Sequence, residues 1–139
     1  MKLNDEIAQQ IFSQFDETKD SELYYCYGVI TATVGKMMLL GSFSALANQY
    51  FLLGFTKSSL IMERIDLIGK LKDHIIIPYS YFESVKISNW MFGMGKKINI
   101  NLTDNSKISL KVNKTNVLLK RQKENLIAVC DMLSSEYGD

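Results

Sequence analysis

The chain has 139 residues, of which 47% are hydrophobic and 22% charged, so it is long enough to form one domain with a buried core. These fractions exclude an intrinsically disordered chain, and eight glycines with a single proline exclude a collagen-like or proline-rich one. Sixteen basic and fifteen acidic side chains give a net charge of +1, which is too balanced for a dedicated nucleic-acid binder, so we expect no nucleic-acid partner.

Residue types that carry chemistry are scarce. One histidine and two cysteines leave little for a metal site or a catalytic triad, so we predict no enzyme, no catalytic residue, no metal and no cofactor. His74 has no neighbouring serine or cysteine that stands out as a nucleophile. Cys26 and Cys130 are far apart in the sequence, which indicates two buried free thiols in a reducing compartment. The N-terminus has no signal-peptide pattern, so we expect a cytoplasmic protein.

Near the N-terminus, apolar residues recur every four positions, at Leu3, Ile7, Ile11 and Phe15. This spacing predicts an amphipathic helix with Asn4 as its N-cap. A polar run follows the helix. We therefore assign residues 1–21 to an N-terminal helix and linker, and residues 22–139 to a separate domain.

Residues 37–56 carry no formal charge and are long enough to cross a bilayer of about 30 Å. Polar side chains such as Asn48 and Gln49 interrupt this stretch, which makes a transmembrane span the less favoured alternative. The pattern predicts no conformation for residues 33–49.

Seven segments have the aromatic and β-branched composition of short strands. They cover residues 23–32, 50–56, 59–65, 73–77, 83–92, 96–102 and 106–112. In the last two segments, the alternating residues Ile98, Ile100, Leu102, Ile108, Leu110 and Val112 are expected to point inward. Residues 93–95 and 104–105 have the composition of tight turns.

A second helix is predicted after a turn at residues 113–116. Its apolar face would carry Leu119, Leu126, Cys130 and Leu133, and Asn125 would lie on the opposite face. The order of one helix, about seven strands and one helix, without βαβ crossovers, predicts a mainly β fold of the α+β class. We expect two packed sheets or a half-open barrel, with the last helix closing one end.

Two segments resemble elements of bacterial pleckstrin-homology-like (PH-like) domains. Segment 55–61 (FTKSSLI) is similar to a strand–turn–strand element in which a threonine opens the turn. Segment 77–85 (IPYSYFESV) is similar to an element in which Ile-Pro, a short turn and an acidic residue lead into a valine-containing strand. The resemblance covers roughly residues 22–136. It implies a PH-like split barrel capped by the C-terminal helix, which acts as a non-catalytic scaffold for proteins, membranes or copies of itself.

Relatives of this fold bind inositol phosphates through clustered basic residues in the loop between the first two strands. Here residues 33–49 offer only Lys36, so we expect no specific phosphoinositide binding. The outward positions of the last three strands carry the sheet-face lysines Lys86, Lys97, Lys107 and Lys111, with Lys96 and Lys114 nearby. They would either contact an anionic membrane surface or form a solvated face that discourages aggregation.

Large apolar residues occupy the expected tip of a hairpin. They are Trp90, Met91, Phe92 and Met94. Polar residues are usual at such a place, so one interpretation is a contact surface, and the other is a tip folded over the barrel mouth or under the N-terminal helix.

Three functions follow as hypotheses. The first is a non-catalytic module that binds a protein partner or self-associates through this tip, with the N-terminal helix as a second surface. The alternative is a peripheral membrane-binding module that uses the tip and the sheet-face lysines. A second alternative is a small-molecule carrier or an enzyme with a ligand in the barrel, although the inward residues leave little room.

Charge divides unevenly along the chain. Residues 1–22 hold six acidic side chains and two lysines, a net charge of −4. Residues 83–115 hold six lysines and two acidic side chains, a net charge of +4. The two blocks are expected to attract each other, within one molecule or between copies.

Overall fold

The computed structural model describes residues 3–19, 22–33, 49–65 and 71–137. The helices and strands in these ranges are α1 (Asp5–Ser13), β1 (Tyr24–Thr33), β2 (Gln49–Phe55), β3 (Ser59–Ile65), β4 (Leu71–Pro78), β5 (Phe82–Trp90), β6 (Gly95–Leu102), β7 (Lys107–Asn113) and α2 (Gln122–Tyr137). Part of the uncharged stretch 37–56 is therefore strand β2, and its first twelve residues lie outside the described ranges. None of the helices in the described part of the chain is long and apolar enough to cross a membrane.

All seven strands belong to one antiparallel sheet in the order β4-β3-β2-β1-β7-β6-β5. The sheet curves around a core that α2 completes through Leu126, Val129 and Leu133. The six residues predicted to point inward from β6 and β7 are all buried in this core. The predicted mainly β fold, with about seven antiparallel strands and a closing C-terminal helix, is confirmed.

The start of α2 differs from the prediction. The helix begins at Gln122, and Leu119 precedes it and packs in a separate cluster under α1. Asn125 does not face solvent but is buried, and its Nδ2 donates to the Tyr25 carbonyl at 3.0 Å. The spacing of apolar residues cannot predict that the Asn125 amide is buried, because its hydrogen-bond partner is the backbone of a strand distant in the sequence.

Helix α1 packs on the outer face of the sheet, on the side away from α2. Its residues Ala8, Ile11 and Phe12 are buried against Leu52 and Ile61. The predicted N-cap is confirmed, because Oδ1 of Asn4 accepts a hydrogen bond from the Ile7 N–H at 2.8 Å. The apolar face of α1 is thus already covered by its own sheet, and a role of the helix as a second contact surface stays a prediction for its exposed face. The division of the chain at residues 21 and 22 stays a prediction.

The two family-like segments meet in space. The Thr56 hydroxyl accepts hydrogen bonds from the N–H groups of Ser58 and Ser59, at 3.2 and 3.0 Å, and so closes the β2–β3 turn. Tyr79, which follows β4, donates its N–H to the Ser58 carbonyl at 2.9 Å and its hydroxyl to the Thr56 carbonyl at 2.6 Å. These bonds join the end of β4 to the β2–β3 turn and fix the corner of the barrel.

Candidate functional site

The hairpin between β5 and β6 ends in a four-residue turn, which we call the tip (residues 91–94). Trp90 pairs with Gly95 at its base, and the Met94 N–H donates to the Met91 carbonyl at 3.0 Å. The apex therefore lies before the predicted turn at 93–95. Met91, Phe92 and Gly93 all have positive φ, at 51°, 57° and 88°. For a residue with a side chain this region costs roughly 1–2 kcal/mol, and Asn or Gly would adopt it more easily.

The tip side chains project into solvent. Phe92 is fully exposed at 109%, Met94 is 68% exposed and Met91 is 53% exposed. The structure thus gives no sign that these three fold back over the barrel mouth. Trp90 differs, because it is half-buried and its Cε3 lies 3.0 Å from where a Cβ on Gly95 would be. Trp90 therefore supports the base of the hairpin, and the exposed apolar surface belongs to the other three.

The tip is attached to the segment that follows β7. The Lys114 N–H donates to the Met94 carbonyl at 2.8 Å, and Gly95 pairs with Asn113. A Cβ on Gly95 would lie only 2.6 Å from the Val112 carbonyl oxygen, so a larger residue cannot approach β7 this closely. These contacts hold the strained turn in one position relative to the barrel.

A groove of about 340 Å³ lies between the tip and α2. Three lysines line it, each from a different part of the chain, and we call them the groove lysines: Lys96, Lys114 and Lys123. Its apolar lining includes Leu126, Ile127 and Cys130. Asp131 is the one carboxylate among the described lining residues.

Lys96 lies on the inner face of the barrel. Its side chain is on the same face of β6 as those of Ile98 and Ile100. Because it is near the start of the strand, it is only half-buried. Its Nζ donates to Oδ1 of Asn89 on β5 at 2.7 Å. Lys96, expected near the outward lysines, therefore faces the other side of the sheet from Lys97, since adjacent residues of a strand point to opposite faces.

Both thiols are free, and neither is activated. Burial, followed by the charge of the nearby Cys130 sulfur, raises the pKa of the Cys26 thiol. Burial also raises the pKa of Cys130, while the Lys96 ammonium lowers it and Asp131 raises it. Both groups therefore stay protonated at neutral pH, although Cys130 is only half-buried and not fully buried as predicted.

The structure brings together part of the sheet-face set. Lys97 on β6 lies directly opposite Lys111 on β7, and Lys86 pairs with Asn99, two residues further along β6. Lys107 is four residues from Lys111, about 13 Å along the strand, and so lies apart from the Lys97–Lys111 pair. Like charges directly opposite each other destabilise a sheet, so the Lys97–Lys111 pair suits an anionic counterpart.

His74 lies elsewhere, beside the end of α1. Its Nδ1 is 3.7 Å from Oε2 of the buried Glu63, and the Phe15 ring meets the imidazole edge-on at 4.9 Å between ring centres. These contacts connect the C-terminal side of α1 to the sheet. Among the described residues, no three His, Cys, Asp or Glu side chains are grouped as metal ligands.

The tip was predicted from the sequence, but the groove was not. Lys123 lies on α2 and Lys96 on β6, and nothing in their spacing indicates that they line one cavity. A lysine at an inward position of β6 was the available signal, because it breaks the apolar alternation at 98, 100 and 102.

The chain is similar to known proteins in sequence and in structure. A family model described as Bacterial PH domain matches residues 17–132. The pleckstrin homology (PH) domain of USP37 is 12% identical, with a TM-score of 0.52, and the match covers 81% of this chain and 94% of that one. The hSac2 domain from the human phosphoinositide phosphatase Sac2 is 15% identical, with a TM-score of 0.47, over 93% of this chain and 79% of that one. No curated protein matches. The PH-like fold is therefore established by the family model and by the first structural neighbour.

Proposed function

Since the chain belongs to the bacterial PH domain family, we propose that it is a non-catalytic interaction module that docks on an anionic membrane surface through its tip. The observation that carries the proposal is the full exposure of Phe92 between two exposed methionines. Apolar side chains in a turn of positive φ favour neither solubility nor turn formation, so a role in contact explains them better than a role in folding.

The energetics favour a bilayer. Transfer of one large apolar side chain out of water contributes about 1.5–3 kcal/mol, and each lysine near an anionic surface about 1 kcal/mol. The tip and the groove lysines lie side by side. In a headgroup region, apolar side chains reach the acyl chains while ammonium groups stay among phosphates. One surface can therefore satisfy both kinds of group.

A protein partner, including a second copy of the chain, is the second candidate. The charge division favours it, because residues 1–22 have a net charge of −4 and residues 83–115 a net charge of +4. A symmetric tip-to-tip contact would bring two sets of groove lysines together, and their charges would repel. Self-association would therefore join the basic surface of one copy to an acidic surface of another. The two free thiols support the cytoplasm as the proposed compartment.

The test is co-sedimentation with phosphatidylcholine vesicles that contain or lack phosphatidylglycerol. We expect binding only to the anionic vesicles, weaker at high salt, since the screening length falls from about 10 Å at 0.1 M to about 3 Å at 1 M. The double change Met91→Ser and Phe92→Ser should reduce binding at least tenfold and leave the circular dichroism spectrum unchanged. The matched control is Val117→Ser, because Val117 is 96% exposed but lies outside the tip.

Two outcomes would contradict the proposal. One is equal binding by the tip variant and the control, and the other is no binding of the wild-type chain to anionic vesicles. If the mass measured by sedimentation velocity rises with concentration, and only the tip variant abolishes that rise, the second candidate replaces the first.

A further inference from the structure

We propose that the groove between the tip and α2 binds the phosphate of an anionic lipid headgroup, with the groove lysines Lys96, Lys114 and Lys123 as its ligands. This inference rests on the proposed membrane docking and names the ligand that the docked domain would hold. It assigns the lipid contact to a site between the β5–β6 hairpin and the last helix.

Like charges converge in the groove. Three ammonium-bearing side chains from β6, from the segment after β7 and from α2 line one groove, against the single carboxylate of Asp131 in its described lining. Cations that share a groove repel each other unless an anion lies between them. A phosphate offers several acceptor oxygens to such a set of donors.

The side chain of one groove lysine, Lys96, is already held in place, and the backbone of a second, Lys114, is anchored beside the tip. Nζ of Lys96 is bonded to Oδ1 of Asn89 at 2.7 Å, and the Lys114 backbone is bonded to the Met94 carbonyl at 2.8 Å. The ordering of long side chains on binding is costly, and a lysine already held near the groove loses less freedom when it meets the ligand.

The groove is large enough to hold a lipid headgroup. The groove volume of about 340 Å³ is within the range of small-ligand sites, roughly 300–1,000 Å³. Gly93 has no atom within 4 Å of the position a Cβ would take, so the wall on the tip side is open. Leu126 and Ile127 add apolar surface to the same lining, which suits the glycerol and upper acyl region of a lipid better than a free anion.

The groove lies beside the part of the tip that would enter the bilayer. Phe92 and Met94 project from the same hairpin turn that forms one wall of the groove. Interfacial apolar groups enter roughly 5–10 Å into the boundary between headgroups and acyl chains. A tip inserted to this depth brings the mouth of the groove to the level of the phosphates.

The experiment compares two double variants that remove the same charge. Lys114→Gln with Lys123→Gln changes the groove, and Lys86→Gln with Lys107→Gln changes the sheet face; all four side chains are exposed, so both variants should fold. On vesicles of phosphatidylcholine and phosphatidylglycerol, we expect the groove variant to lower the partition coefficient about thirtyfold. The sheet-face variant should lower it less than about threefold.

A titration followed by amide chemical shifts identifies the source of the phosphate. Dihexanoyl phosphatidylglycerol below its micelle concentration should give saturable shifts at Lys96, Lys114, Lys123 and Cys130. Inorganic phosphate or a polyglutamate peptide at the same concentration should give at least tenfold weaker binding. Equal saturation by inorganic phosphate or by the peptide would overturn the inference and assign the groove to a free anion or to an acidic protein segment.

Failure of the groove and failure of membrane docking are distinguishable. If the wild-type chain binds anionic vesicles and both double variants lose binding equally, docking stands and the groove inference is overturned. If the wild-type chain does not bind anionic vesicles at all, both are overturned.

Discussion

The side-chain amide of Gln122 forms two hydrogen bonds with the backbone of Tyr27. Its Oε1 accepts from the Tyr27 N–H at 2.8 Å, and its Nε2 donates to the Tyr27 carbonyl at 3.2 Å. The same Nε2 donates to the Asn113 carbonyl at 2.9 Å. Since the described pairing of β1 with β7 joins Val29–Thr33 to Lys107–Lys111, the amide takes the place of the strand pairing that would otherwise continue between Tyr27 and Asn113. One side chain of α2 thus satisfies backbone groups of β1 and β7 beyond the end of their pairing.

Replacing Gln122 with Leu should therefore destabilise the protein. The change replaces the amide with an apolar side chain of similar size and leaves buried backbone donors and acceptors without partners, each at a cost of about 1–3 kcal/mol. We expect the free energy of unfolding in urea to fall by about 2–4 kcal/mol. The control Gln10→Leu, at an exposed position of α1, should stay within about 0.5 kcal/mol of the wild type. Equal effects of the two changes would contradict this role of Gln122.

Gly54 makes room for the docking of α1. A Cβ at this position would lie 2.6–2.9 Å from three carbons of the Phe12 ring. Gly54→Ala should therefore displace the ring and lower the free energy of unfolding by about 1–3 kcal/mol. In a Phe12→Ala background the same change should cost less than about 0.5 kcal/mol, since the ring is gone. Additive effects in this double-mutant cycle would show that the two residues do not clash.

Asp5 connects α1 to the start of α2 and makes stability depend on pH. Burial raises the pKa of its carboxyl, but hydrogen bonds from the Tyr25 hydroxyl and from two backbone N–H groups, of Lys120 and Arg121, outweigh it and hold the pKa below the ordinary value of 3.8. A lowered folded pKa means that the carboxylate stabilises the fold above pH 3.8 and that this contribution is lost as pH falls through the folded pKa. Unfolding midpoints measured from neutral to acid pH should therefore fall more steeply for the wild type than for Asp5→Asn. An unchanged slope in Asp5→Asn would contradict the assignment.

The tip should gain stability when it loses function. Met91→Asn with Phe92→Asn places residues that tolerate positive φ in the turn, so we expect the free energy of unfolding to rise by about 1 kcal/mol while vesicle binding falls. Asn105, with φ of 71° in the β6–β7 turn, offers the reverse control. Asn105→Met should destabilise by a similar amount and leave vesicle binding unchanged. A tip variant that is both less stable and unable to bind would instead identify the tip as part of the fold.

Sequence patterns predicted the elements that depend on local periodicity. Alternation between Ile98 and Val112 gave two strands and their inner face, and the four-residue spacing from Leu3 gave α1 and its cap. The start of α2 was placed too early, because Leu119 continues an apolar pattern although it packs beneath α1. Apolar residues that continue one periodic pattern in the sequence can pack in two different hydrophobic clusters, and only the tertiary structure shows which residue belongs to which cluster.

The candidate site was predicted only where it is contiguous in sequence. The tip is a short run of residues with an unusual composition, so its projection could be inferred. The conformation of Met91 and Phe92 could not, since neither residue favours positive φ. The groove depends on the long-range placement of Lys96 and Lys123. The inward position of Lys96 could be inferred from the alternation along β6, but no spacing in the sequence places Lys123 beside it.

Insertion of the tip into a bilayer is tested most directly by moving the single tryptophan of the chain to the apex. In the variant Trp90→Phe with Phe92→Trp, the indole is the only one present, and brominated acyl chains quench its fluorescence only on contact. The account predicts strong quenching by vesicles of brominated phosphatidylcholine and phosphatidylglycerol. It predicts markedly weaker quenching for the control Trp90→Phe with Val117→Trp, because Val117 is 96% exposed but lies outside the tip. Equal quenching in the two variants, or no quenching in either, would contradict membrane docking through the tip.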